Sequence, residues 1–320
     1  MRPVVCARPR GAHPQGGRTV SDVAGTVVRT SEPAKLRVRR RVREVYERRE
    51  VLLNLVRKEL KVKYTASVLG AVWSLLNPIV FLAVFTFVVK VTHNSFPHFP
   101  IYLLSGLLAW NLFSVSLAGG ARSVIDNANL VKKVSFPREV LPLSAVGVAL
   151  VDFVLQTAVL LLFILASGYG FHLPELAIYP LAFATLLVFT LALTFWLAAL
   201  NVRYRDIQHL LNIALLVWFW MTPIVYSGFL VKDVLKGRKV LGVSLWGLYL
   251  ANPLASIAMG FQRALYGVVR PVVGERPVLP DVSLAWLAGV LATVLAASLV
   301  FLLYTWRRFF ELSGDFAEEL

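Results

Sequence analysis

The stretch "LSAVGVALVDFVLQTAVLLLFILAS", Leu143–Ser167, runs for 25 residues with one charge, Asp152. About 20 apolar residues suffice for a helix to cross a bilayer, so this segment is a transmembrane helix. The rest of the chain shares its character. Of 320 residues 58% are hydrophobic and the mean hydropathy is +0.69, whereas a soluble domain averages about 45–50% apolar. The fold class is therefore all-α and integral to a membrane.

Five further apolar runs accompany the first. In chain order the six expected spans are Val72–Val91, Ile101–Ala121, Leu143–Ser167, Ala177–Val202, His209–Ser227 and Ser283–Trp306. Asn77-Pro78 should kink the first of them early. Between the fifth and sixth, Asn252–Val269 is apolar but short for a span. It reads equally as a re-entrant helix or as an external amphipathic one. Around these spans the chain divides into a basic arm (1–44), an interface helix (45–65), a transmembrane domain (66–312) and a short tail (313–320). The arm is rich in Arg, Pro and Gly and reads as a solvated, disordered tail, with weak attraction to anionic lipid as the other reading. In 45–65, Val45, Leu52, Leu53, Val56 and Leu60 share one helical face. Glu50, Asn54, Arg57, Lys58 and Lys61 share the other, as in a helix lying among headgroups.

Charge sets the orientation. Residues 1–65 hold 17 Lys and Arg against 6 Asp and Glu, +11 of the chain's +15. Because this charge adjoins membrane spans, anionic lipid explains it better than nucleic acid. Loops 92–100 and 168–176 carry no Lys or Arg. Arg122, Lys132, Lys133, Arg138, Arg203, Arg205, Arg307 and Arg308 all lie at the opposite ends of the spans. The positive-inside rule then puts both termini in the cytoplasm. Loop 228–282 conflicts with this, since it would be external and yet holds seven Lys and Arg.

Chemistry-bearing motifs are few. The chain has no G-x-x-x-x-G-K-[ST], no H-E-x-x-H and no G-x-S-x-G, so neither nucleotide binding through a P-loop nor these hydrolytic constellations are encoded. Cys6 is the only cysteine, which rules out an intrachain disulfide. His93 and His98 share a short external loop and read as ordinary loop histidines, with weak metal binding as the alternative. Asp152, with Gln156 one turn on, must face protein or water, because a charge at a span's centre costs about 2.5–3.5 kcal/mol. It is either a conduit contact or a structural hydrogen bond between helices. Trp218, Trp220 and Tyr226 crowd the end of the fifth span, as an interfacial aromatic belt or as faces on which sugars stack along a conduit. Arg205 and Asp206 sit in a cytoplasmic turn, anchoring helix ends or meeting a partner. "NANLVKKVSFPREVLP", Asn127–Pro142, should form a helix of about two turns in a cytoplasmic loop. Asp126 or Asn127 would cap it and Pro137 would stop it. Leu130, Val131 and Val134 give it an apolar face too small to insert in lipid, which asks for a groove in a partner.

Five strings occur in order: "KYTASVLGAVWSLLNPIVFLAVFTFVV", "NANLVKKVSFPREVLPLS", "NVRYRDIQHLL", "WFWMTPIVYS" and "ANPLASIAMGFQRALYG". Together they resemble ABC-2 type transporter permeases of the polysaccharide and teichoic-acid export group, over about Val45 to Leu320. The resemblance implies a six-span subunit of the bacterial inner membrane, working as a homodimer with two copies of a separate ATPase. No cofactor would then bind this chain, since the partner holds ATP and magnesium. It also implies export of a lipid-linked polysaccharide or polyol-phosphate polymer rather than an enzymatic reaction. Asn127, Leu130, Lys132, Lys133, Phe136, Arg138 and Glu139 would form the coupling helix and its continuation, which dock on the ATPase. Val45–Tyr64 would be the interface helix and Asn252–Val269 short external gating helices. The aromatics of the fifth span would border the conduit. Two rival readings are an ABC-2 permease for a small drug or lipid, and an integral-membrane acyltransferase.

Overall fold

The computed structural model describes residues 38–65, 70, 73–91, 98–134, 136–204, 206–240, 242–267 and 278–320. All of these fall in one unit, Leu36–Leu320. The elements are α1 (Val38–Glu47), α2 (Arg49–Tyr64), α3 (Trp73–Val91), α4 (Phe99–Asp126), α5 (Ala128–Lys133), α6 (Val140–Ala166) and α7 (Leu173–Leu176). Then follow α8 (Tyr179–Arg203), α9 (Ile207–Trp220), α10 (Gly228–Leu235) and a hairpin of β1 (Lys239–Val240) with β2 (Val243–Ser244). The last are α11 (Leu245–Leu250), α12 (Pro253–Tyr266), α13 (Leu284–Leu312) and α14 (Phe316–Glu319).

Four helical stretches are long and apolar enough to cross a membrane: α4, α6, Leu173–Arg203 and α13. Two shorter apolar stretches, Pro78–Val88 and Ile207–Trp220, match the other two expected spans in position. The fifth span is expected to reach Ser227, yet α9 stops at Trp220. Pro223 explains the early stop, because it has no N–H to donate and disfavours a helical conformation at the residue before it. The last span instead overshoots, since α13 runs on six residues past Trp306 to Leu312.

Helix starts follow local chemistry. Pro100 and Pro180 occupy the first turns of α4 and α8, where a missing N–H costs nothing. The Asn252 side chain accepts from the Leu254 amide to cap α12, and the Ser283 side chain accepts from the Trp286 amide to cap α13. α12 ends on Gly267, whose φ of +69° favours glycine.

α4 forms the centre of the bundle and packs against α6, α8 and α12, while α13 covers the far side of α8. Helices in a bilayer gain little from hydrophobic burial against one another, so close backbone approach matters. A Cβ on Gly120 of α4 would lie 2.1 Å from Cγ2 of Thr194 on α8, and no side chain fits there. α12 has twelve of its fourteen residues buried, among α4, α8 and α13. An external amphipathic helix would keep a wet face, whereas α12 is enclosed by its neighbours in the protein.

The amino-terminal region departs from expectation in two ways. Residues 38–44 belong to α1 rather than to a disordered arm, and a break at Arg48 separates α1 from α2. The face of α2 is also rotated from the one read in the sequence. Leu55 is its buried residue, whereas Leu53 is 49% exposed, because α2 lies along α6 instead of on an open surface.

Replacing Gly120 with Ala should destabilise the bundle by about 1–3 kcal/mol through overpacking, read as a lower Tm in detergent. Thr194→Ser removes the clashing methyl, and the double variant should recover part of the loss.

Candidate functional site

The segment that the sequence singles out, 127–139, lies at one end of the bundle. α4 ends at Asp126 and α5 begins at Ala128 with Asn127 between them. Asn127 holds the N-cap position but makes no side-chain capping bond. Its amide instead donates to the Ser123 carbonyl at 2.9 Å, and its oxygen accepts from Lys58 of α2 at 3.3 Å. α5 has six residues, close to the expected two turns. A helix that short is unstable alone, so its seat on the core holds it.

That seat is a cluster of Leu55, Val131, Val140, Leu141, Phe195, Phe309 and Phe316, with Leu130 and Phe136 packed against it. The apolar face of α5 is therefore largely met within the chain. Phe316 of α14 stands edge-on to Phe309 at 5.4 Å, and α14 packs directly on α5. Lys132, Lys133 and Val134 remain exposed.

Glu139 is fully buried and accepts from Arg41 of α1 through two nitrogens, at 2.7 and 3.0 Å. Arg41 also donates to Glu44 at 2.6 Å and lies 4.8 Å from the centre of the Phe310 ring. Burial pulls the pKa of Arg41 down, but its bonds to Glu139 and Glu44 and their charges outweigh that and leave it raised. At Arg138 burial prevails and lowers the pKa, with Glu139 and Asp315 opposing it in part. A cavity of about 440 Å³ opens between α1 and the turn after α5, walled by Arg41, Arg48, Val134, Phe136 and Arg138. Asn127 and Glu139 thus hold the segment in place, and both are buried within the chain.

The residues assigned to a conduit each have contacts within the chain. Asp152 is buried and receives Lys63 at 2.6 Å and Tyr64 at 2.7 Å, both from the end of α2. Gln156, on the same face, accepts from Asn111 of α4 at 3.0 Å. Both are interhelical ties, and Asp152 fastens α2 to α6. Trp218 turns inward, donating to Asn252 at 2.8 Å and packing on Phe113 and Phe189. Trp220 is 55% exposed, and the half-buried Tyr226 donates to its carbonyl at 2.9 Å. Asp206 is exposed beside the start of α9, while Arg205 and His93 lie outside the described residues. His98 stacks near Tyr169 at 4.5 Å. Among the described residues no group of three His, Cys, Asp or Glu is placed to hold a metal ion.

Sequence reasoning missed Arg41, Asn252, Tyr102, Gln262 and the Glu175–Arg263 pair. Gln262 donates to the Pro223 carbonyl at 2.7 Å, and Tyr102 donates to the carbonyl of Tyr226 at 2.8 Å. Arg263 of α12 pairs with Glu175 of α7 at 2.6 and 3.2 Å. Asn-Pro after an apolar run was a readable cap signal for Asn252. The others carried no local signal.

The structure is thus a bundle of apolar helices with a short basic helix at one end. Residues 50–229 match the family of ABC-2 type transporters, and the chain belongs to that family. Relatives include an O-antigen export system permease protein, RfbA, of Myxococcus xanthus, 38% identical over 232 residues, 71% of this chain and 84% of the relative. A protein of the same description from Klebsiella pneumoniae is 29% identical over 214 residues, 67% of this chain and 79% of the relative.

Removing Arg41 (Arg41→Met) leaves a buried carboxylate without its partner. Arg41 is itself partly exposed, so the loss should be about 1–3 kcal/mol, below the usual figure for a fully buried pair. Adding Glu139→Gln should restore most of it in a denaturation series. Asp152→Ala should release the end of α2, at a similar cost of about 1–3 kcal/mol, visible as faster hydrogen exchange over 58–64 with α8 unchanged.

Proposed function

We propose that this chain is the permease subunit of an exporter that moves an O-antigen-type, lipid-linked polysaccharide out of the bacterial cytoplasm. The energy would come from two copies of a separate ATPase that hold ATP and magnesium. Membership of the ABC-2 family and the names of the relatives support the substrate class. In this reading two copies of the chain assemble, six segments cross the inner membrane, and Pro78–Val88 and Ile207–Trp220 belong to the two shorter ones. Both termini face the cytoplasm, as do α5 and the basic ends of the long helices, consistent with the positive-inside rule.

One observation carries the coupling role. α5 is braced from behind by buried Val131, while Lys132, Lys133 and Val134 point away from the bundle. A short, rigidly backed helix with an exposed basic and apolar tip suits docking in a groove of the ATPase. Motion of the ATPase pair would then pass into the bundle through the α5 seat and the Arg41–Glu139 pair. The contact surface is narrower than the sequence implied: Lys132, Lys133, Val134 and the half-buried Arg138, with Asn127, Leu130, Phe136 and Glu139 supporting it.

The test follows from that division. Lys132→Glu, Lys133→Glu and Val134→Asp together should reduce co-purification of the ATPase at least about tenfold, the factor for 1.4 kcal/mol, without lowering Tm. Unchanged co-purification would overturn the docking role. Substitutions at Leu130 or Phe136 would disturb the core as well and cannot separate docking from folding. Deleting the gene should leave the undelivered polysaccharide inside the cell, and its composition would identify the substrate.

A further inference from the structure

The end of the bundle opposite α5 carries α10, the β1–β2 hairpin and α11. It also contains the positive charge that conflicts with the orientation read from the sequence. The structure sorts the seven cations of 228–282. Arg263 is paired with Glu175, and Lys232 donates to the Asp281 carbonyl at 2.7 Å. Arg270 and Arg276 lie outside the described residues. Lys236, Arg238 and Lys239 remain. All three are exposed, and none makes an ion pair among the described residues. Asp233 is the only acid between Gly228 and Leu250.

The backbone gathers these cations on one small projection. Gly237 and Gly242 turn the chain with φ of +74° and +83°. Lys239 pairs across the hairpin with Ser244, and the Leu245 amide donates to the Arg238 carbonyl. Interleaved with the cations are apolar side chains that the bundle does not cover: Val234 at 57% exposure, Val240 at 50% and Leu248 at 57%. A loop extending into water has no reason to expose that set. An aqueous glycan would satisfy the cations but not the apolar side chains. A bilayer surface satisfies both, with phosphates above and acyl chains just beneath.

We propose that the α10–hairpin–α11 segment rests on the membrane. Lys236, Arg238 and Lys239 bind the phosphates of anionic phospholipid headgroups, while Val234, Val240 and Leu248 enter the acyl boundary. The same contact holds the segment that follows the α9 break against the bilayer. This proposal concerns lipid, and it stands whatever polymer the protein exports.

Hydrogen exchange of the full chain tests it, in nanodiscs of phosphatidylcholine with and without phosphatidylglycerol. Residues 234–248 should exchange severalfold more slowly with phosphatidylglycerol present. The variant Lys236→Gln, Arg238→Gln, Lys239→Gln should lose that difference, while exchange in α12 stays unchanged and shows the fold intact. Equal exchange in the two lipids would overturn the proposal, as would slowing that survives in the variant. A third arm adds inorganic phosphate or a soluble anionic polysaccharide to phosphatidylcholine discs. If either slows the segment as much as phosphatidylglycerol does, the ligand is a soluble anion and the lipid assignment fails.

Discussion

In the turn that follows α9, the Pro223 carbonyl is buried and has no helical N–H to meet it. An unsatisfied backbone group in such a place costs several kcal/mol. Gln262 of α12 reaches it at 2.7 Å and Tyr102 of α4 at 3.3 Å. This demand sets much of the surrounding architecture. Gln262 meets it only if α12 lies inside the bundle, and α12 is fixed there by Asn252 on Trp218 and by Arg263 on Glu175. Gly106 in turn leaves room for the Gln262 amide, since a Cβ there would approach it to 2.9 Å.

The same rule governs the other end. Glu139 and Asn127 are polar groups in a buried place, and each is answered by a residue far along the chain: Arg41 for one, Lys58 for the other. With the apolar cluster under Val131, these ties make a six-residue helix a stable part of the bundle. A loop helix held only by its own hydrogen bonds would yield when pushed. Val131 of α5 instead packs in one cluster with residues of α2, α8, α13 and α14.

Much was legible from composition and spacing. Apolar run length placed α4, α6, α8 and α13 to within a few residues, because each is a local property of about 20 consecutive side chains. The absence of a phosphate-binding glycine loop is also local, as is the short basic segment after α4. Side-chain roles were less legible. Asp152 looked equally suited to a conduit or to a tie, and only the structure shows Lys63 and Tyr64 arriving from α2 to bond it. Trp218 and Trp220 are two residues apart and look alike in sequence, yet one packs in the core and the other is exposed. The turn of the helix and the position of Asn252 separate them.

Sequence alone determined that this chain belongs in a bilayer and roughly where its long apolar helices run. These conclusions rest on totals and on contiguous patterns, which need no knowledge of what touches what. Only the tertiary structure decided that α12 is buried, that Asp152 anchors α2, and that Asn127 and Glu139 tie the α5 segment to α2 and α1 from within. Each of those depends on a partner 39 to 98 residues away, and no local pattern specifies which distant side chain will satisfy a buried polar group.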